Sequence, residues 1–167
     1  MNEQPIITEN KFETFPGTSR VWVYQSKTAF SDADVTKIRE HIEAFTQQWT
    51  SHNRALRAVG DVLHGRFIVL MADERMADAS GCSIDSSVHF IKAVEQEYGV
   101  DLFDRMTFTY EQSGRVEAAD REQFAALYAS GEIDDHTIVF DNLVNTKADF
   151  DRGWKVRLGD SWHKRMV

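Results

Sequence analysis

The longest apolar run in the chain is Phe67-Ile68-Val69-Leu70-Met71-Ala72. It falls far short of the ~20 residues that a membrane-spanning helix needs. Its residues do not alternate with polar ones, so a strand here must be covered on both faces. The chain therefore has to build layers on both sides of a central sheet. Its length of 167 residues is enough to bury such a core without staples. Hydrophobic residues make up 42% and charged residues 28%, which fits a globular rather than a disordered chain.

The neighbouring segments supply the layers. Residues 1–19, punctuated by Pro5, Pro16 and Gly17, read as an irregular N-terminal arm that Phe12 and Phe15 pin to the body. Residues 20–167 read as one domain. Arg20 to Ser26 is a strand rich in β-branched and aromatic residues. Ser31 is placed as N-cap of a helix running to about Trp49, with Asp34 three residues on and Phe30 and Val35 set to staple its start. Val35, Ile38, Ile42, Phe45 and Trp49 form its apolar stripe. Ala55 to Leu63 and Arg66 to Ala72 form a hairpin turned at His64-Gly65. A second helix spans Ser83 to Tyr98, with Gly99 following its end. Arg105 to Gln112 and Arg115 to Ala118 pair through Ser113-Gly114. Asp120 and Gln123 start a third helix that Gly131 ends. Thr137 to Phe140 is a short strand, and Trp154, Val156 and Leu158 alternate like an edge strand. The fold class expected is α+β, with a ferredoxin-like βαββαβ core extended by a further helix and short C-terminal strands.

The formal net charge of -8 repels phosphate backbones and anionic lipid, so neither nucleic acid nor membrane is expected as the main partner. The single cysteine excludes an intrachain disulfide and suits a reducing compartment. The first ten residues lack a basic segment followed by an apolar one, so no signal peptide is expected and the cytoplasm is the default.

The polar stretch that leaves the apolar run is the first place to seek chemistry. It contains Asp73, Ser80, Gly81, Cys82, Ser83, Asp85, Ser86 and His89. At 100° per residue, Ile84, Val88, Ile91, Val94 and Tyr98 share one face of the second helix. Cys82, Asp85, Ser86 and His89 gather on the opposite side. One reading is a solvated helix start, where serines and aspartates satisfy free N–H groups. The other is a ligand site, since Ser80-Gly81-Cys82-Ser83 stands where backbone N–H groups bind anions. A helix N-terminus would stabilise a Cys82 thiolate. His89 lies about 10 Å further along the axis, too far to serve Cys82 as a base. His163 or His52 would have to do so. Cys82, Asp85 and His89 cannot all converge on one tetrahedral ion, although Asp85 and His89 can form half a site that Asp73, His163 or a water completes. No metal is expected, and no cofactor is indicated.

Two further segments carry donors. Asn142, Asn145, Thr146 and Lys147 follow the Ile138–Phe140 strand, either as ligand donors or as an Asx-type turn with Lys147 in solvent. Asp160-Ser161-Trp162-His163-Lys164-Arg165 joins an aromatic, a histidine and two bases near the C-terminus. The chain has no G-x-x-x-x-G-K-[ST], no G-x-G-x-x-G and no G-x-S-x-G, so Walker-type ATP hydrolysis and a nucleophile-elbow serine are not expected.

Thr18-Ser19-Arg20-Val21-Trp22-Val23-Tyr24-Gln25, Arg66-Phe67-Ile68-Val69-Leu70, Ser80 to Phe90, Gly99 to Arg105, Asn142-Leu143-Val144 and Asp160-Ser161-Trp162-His163 together resemble a family of small bacterial proteins commonly labelled "ABC transporter ATPase". The resemblance covers most of the chain after residue 17 and brings no catalytic residues with it.

The function expected is a non-catalytic binding or regulatory domain. It would hold a small polar or anionic ligand, or a protein partner, through Ser80, Gly81, Ser83, Asp85, Ser86, His89, Asn142, Asn145, Lys147, Trp162 and His163. The alternatives are a thiol-dependent enzyme using Cys82 and a metal-assisted hydrolase using Asp85, His89 and His163.

Overall fold

The computed structural model describes residues 10–51, 53–75 and 81–167, and only the backbone of Asn10 and Cys82. After a 3-10 turn at Asn10–Phe12, the elements run β1 (Arg20–Gln25), α1 (Asp32–Gln48), β2 (Thr50–Ser51), β3 (Arg54–Ala55), β4 (Arg57–Leu63) and β5 (Phe67–Asp73). They continue with α2 (Gly81–Tyr98), β6 (Thr107–Gln112), β7 (Arg115–Asp120), α3 (Arg121–Ser130), β8 (Ile138–Phe140), α4 (Lys147–Gly153) and β9 (Lys155–Arg157), and end in 3-10 turns at Leu158–Asp160 and Trp162–Met166. The class is α+β. No helix among the described residues is long and apolar enough to cross a membrane.

The first sheet has the order β1-β5-β4, antiparallel throughout. Its middle strand, β5, is the apolar run, and every one of its residues is buried. Alternation sends Ile68 and Leu70 to one face, against Ile38 and Ile42 of α1 and Ile91 and Val94 of α2. Phe67, Val69 and Met71 face the other way, onto Phe12, Phe15, Phe140 and Trp154. The arm is thus pinned by Phe12 and Phe15, as its sequence leads one to expect.

Local chemistry sets these elements. Ser31 Oγ accepts from Asp34 N at 3.1 Å, which starts α1. His64 and Gly65 both have positive φ, 54° and 65°, and Arg66 N donates to Leu63 O at 3.1 Å, in a three-residue connection that closes with Leu63 opposite Phe67. Ser113 and Gly114 also have positive φ, 54° and 78°, and form the two-residue turn between Gln112 and Arg115. Asp120 caps α3 in a full capping box with Gln123.

A second sheet has the order β7-β6-β8-β9. Phe108, Tyr110 and Val139 face outward to Phe124 of α3 and to the C-terminal turn. The molecule is therefore layered helices, sheet, sheet, helix. The β1-β5-β4 order is that of a split β-α-β unit. A ferredoxin-like sheet would next place β6 beside β1. Instead β6 ladders with β7 and β8. The outer edge of β1 meets the segment after β8, through the Arg20–Thr146 bridge, Val21 N to Asn145 O at 3.0 Å and Lys147 N to Ser19 O at 2.9 Å. Thr146 caps α4, the one α-helix that the sequence reading leaves out, by accepting from Asp149 N at 3.2 Å.

Candidate functional site

The start of α2 is built from two opposite faces. Ser83 and Ser87 are buried at the head of the stripe that continues to Ile91 and Val94. Trp49 Nε1 donates to Ser83 O at 2.8 Å, and Ser87 Oγ donates to Ile84 O at 2.6 Å. These two serines belong to the packing against Trp49 and Tyr24. Burial raises the pKa of the Tyr24 hydroxyl, while a hydrogen bond with Ser87 and the charge of Arg105 oppose that shift. Asp85, Ser86 and His89 are exposed, on the face where the helical wheel puts them. Ser80 and His52, and the side chain of Cys82, lie outside the described residues.

The C-terminal residues assemble elsewhere. A cleft of about 130 Å³ opens beside β1, between the loop that precedes β6 and the loop that follows β8. Val23, Tyr24 and Gln25 form one wall, Phe103 and Arg105 another, and Asn142, Leu143, Trp162 and His163 also line it. Three of the residues singled out from sequence, Asn142, Trp162 and His163, thus come together. Gly81, Ser83, Asp85, Ser86 and His89 do not line this cleft. Asp85 and His89 stand exposed on α2 while His163 is buried against Phe108 and Phe124 of the second sheet's core, so the three are not brought together.

Asn145 and Lys147 act as edge partners of β1 through their backbone. The Lys147 side chain does not stand in solvent: it is 14% exposed and pairs with Asp151 at 2.6 Å. The turn before it is of Asx type, with Leu143 N donating to Asp141 Oδ1 at 3.0 Å.

The polar groups of the cleft are bonded to one another. Gln25 Nε2 donates to Thr107 O at 2.6 Å, and Gln25 Oε1 accepts from Thr109 Oγ1 at 3.0 Å and from Asn142 Nδ2 at 2.8 Å. Asn142 Oδ1 accepts from Trp154 Nε1 at 2.9 Å. Asp104 accepts from Met106 N and from Thr107 Oγ1, both at 2.7 Å. Trp162 Nε1 donates to Asp141 Oδ1 at 2.9 Å. His163 stacks on Trp162 at 3.8 Å, and its Nδ1 lies 2.6 Å from Ser161 Oγ. Burial pushes the His163 pKa down to about 4, against the pull of the Asp141 charge, so the ring is neutral near pH 7.

What remains for a visitor is mostly apolar surface. The large hydrophobic residues exposed among the described residues are Phe103, Met106 and Leu143, at 38%, 56% and 59%. Phe103 and Leu143 line the cleft, and Met106 sits between Arg105 and Thr107, which also line it. Sequence reasoning passed over Gln25, Phe103 and Arg105. Gln25 did carry a signal, as the polar residue that closes the consecutive apolar run Val21 to Tyr24. Scans against protein-family models, curated proteins and solved structures find no match for the chain.

Proposed function

We propose that this protein is a non-catalytic binding domain for a protein partner, which seats one apolar side chain in the cleft beside β1. The observation that carries this reading is the lining: two of the exposed large apolar side chains among the described residues, Phe103 and Leu143, line one cleft. A volume of about 130 Å³ is small beside the ~300–1,000 Å³ of sites for drug-sized ligands, and it suits a single side chain. A small polar or anionic ligand fits less well. The amides and carboxylate of the lining are already hydrogen-bonded, and His163 is held neutral. Arg105 is the one cation of the lining and Asp104 the one carboxylate. Aromatic and Arg side chains such as Phe103, Trp162 and Arg105 are enriched at interface centres. The resemblance to the small bacterial family does not alter this reading, because no phosphate-binding loop accompanies its label. We read the first sheet with α1 and α2 as a ferredoxin-like unit whose last strand has moved to the second sheet.

The test is an NMR titration of methyl- and nitrogen-labelled protein with isobutanol and phenol as probes of apolar binding centres. Shifts should converge on the Leu102 and Leu143 methyls and the Trp162 indole N–H. Probes that gather elsewhere, or shift nothing there, refute the reading.

A further inference from the structure

We infer that the outer edge of β7 takes up an extended segment of a partner protein as an added antiparallel strand, and that this segment carries an apolar residue two positions before a Lys or Arg. The site shares no lining residue with the cleft beside β1 and does not depend on it. β7 ends its sheet and pairs with β6 through six consecutive residues, without a bulge. Its backbone groups alternate between the two edges. Three hydrogen bonds mark the residues that point outward. Thr107 O of β6 turns away from β7 to accept from Gln25 Nε2. Asp120, opposite Thr107, turns away from β6, and its N–H donates to Gln123 Oε1 at 3.1 Å. Val116 O accepts from Arg66 Nη2 at 3.3 Å. Ala118 lies between Val116 and Asp120, so its N–H and C=O point outward too. Neither group has a partner among the described residues, and Ala118 is only half-buried. The whole sheet is antiparallel, and one residue of an antiparallel guest exchanges both bonds with Ala118.

The surroundings set the side chains of the guest. A groove of about 530 Å³ lies between Ala118 and Ala119 of β7 and Gln123, Ala126 and Leu127 of α3. The guest residues on either side of the one paired with Ala118 project to the face of Glu117 and Ala119. Beside Ala119 the groove is walled by Ala126 and Leu127, which suits Val, Ile or Leu. Beside Glu117 it suits a base. Tyr110, opposite Glu117 on β6, lines the groove, and so does Glu132, its one charged lining residue. Burial raises the pKa of the Tyr110 hydroxyl, and the charges of Glu117 and Glu132 raise it further, so both carboxylates bear on this end of the groove. Neither makes an ion pair among the described residues. Arg66 feels the Glu117 charge, and Arg115 lies one pleat nearer the turn. The base of the guest therefore belongs opposite Glu117 and not beyond it. In an antiparallel guest that order reads apolar residue, any residue, base.

Amide NMR titration of the full chain with the acetylated, amidated peptide Thr-Thr-Leu-Val-Lys-Thr-Thr tests this. It should bind with a Kd below about 1 mM, move the Ala118 and Val116 N–H resonances and slow their hydrogen exchange. Putting N-methylvaline at the centre removes the N–H meant for Ala118 O and should weaken binding at least about fivefold. The reversed peptide, Thr-Thr-Lys-Val-Leu-Thr-Thr, should also bind more weakly. Ala126→Arg, at an exposed position of α3, should fill the groove and abolish binding. Glu117→Lys should reverse the charge preference, so that a peptide with Glu in place of Lys binds better. No binding up to about 5 mM overturns the inference. So does binding that ignores N-methylation, chain reversal or Ala126→Arg, or a charge preference that Glu117→Lys leaves unchanged. Shifts that gather at Leu143 and Trp162 instead overturn it as well, and speak for the cleft beside β1.

Discussion

Asn142 Nδ2 donates to Gln25 Oε1 across 2.8 Å, although 117 residues separate the two in the chain. The bond ties the segment after β8 to the end of β1. Through Gln25 Nε2 and Thr107 O it also ties β6 there, joining the two sheets at the wall of the cleft.

Gln25→Leu takes the acceptor from both Asn142 Nδ2 and Thr109 Oγ1, while Asn142→Leu removes one of the two donors to the buried Gln25 Oε1 and the acceptor of Trp154 Nε1. Asn142→Leu or Gln25→Leu should each cost about 1–3 kcal/mol by urea unfolding. The double variant should cost less than the sum of the two. Strict additivity would show that the bond does not form in solution.

Gly60 of β4 faces α1 with no room to spare. A Cβ there would lie 2.6 Å from Ile42 Cγ2, 2.8 Å from Leu70 Cδ2 and 3.0 Å from the backbone oxygen of Val69. The side chains can turn, but the backbone oxygen cannot. Gly60→Ala should lower stability by about 1–3 kcal/mol through overpacking. A melting temperature equal to wild type would contradict this packing of α1 on the sheet.

Asp73 ends β5 almost wholly covered, with Arg75 Nη2 at 2.8 Å and Arg57 Nη1 at 3.0 Å. Hydrogen bonds from Arg75 above all, and from Arg57, hold its carboxyl well below the usual carboxylate range, although burial pulls the other way. The folded state then keeps this charge where the unfolded chain takes up a proton. Its contribution is complete above about pH 4 and drains as the pH falls further. Asp73→Asn should destabilise the protein near pH 7 and flatten the acid limb of its stability curve. Parallel curves for the two proteins below about pH 4 would refute the clamp.

His163 works in a different window. Its pKa falls from 6.5 to about 4 on burial, so between those values the unfolded chain binds a proton that the folded chain refuses. Stability should therefore drop as the pH is lowered from about 6.5 toward about 4, by on the order of 3 kcal/mol in full. In His163→Leu that slope should vanish. A histidine C–H resonance titrating near its ordinary value would show instead that the ring is open to water.

Much of the fold is written in short stretches of sequence. Ser31 with Asp34, and Asp120 with Gln123, mark helix starts because a cap needs only residues three apart. His64-Gly65 and Ser113-Gly114 mark hairpins because a turn is decided by its own backbone angles. Thr146 with Asp149 carried the same kind of signal for α4, but the surrounding Asp and Asn residues read as a turn. Ser83 and Ser87 were harder. Serine at a helix start suggests solvent, and only the neighbours Trp49 and Tyr24 make that side interior.

The site lay further from view. The sequence places Asn142, Trp162 and His163 among possible ligand groups, yet pairs them with the start of α2. Their true neighbours are Gln25, Phe103 and Arg105, contributed by segments far apart in the chain. By itself the sequence determined the α+β class, three of the four α-helices and a central strand covered on both faces, because burial pattern and capping are local properties. The tertiary structure alone decided that β6 pairs with β7 and β8 rather than with β1. Backbone hydrogen bonds are alike for every strand, so side-chain packing between distant segments selects the partner. That choice opened the cleft at the outer edge of β1.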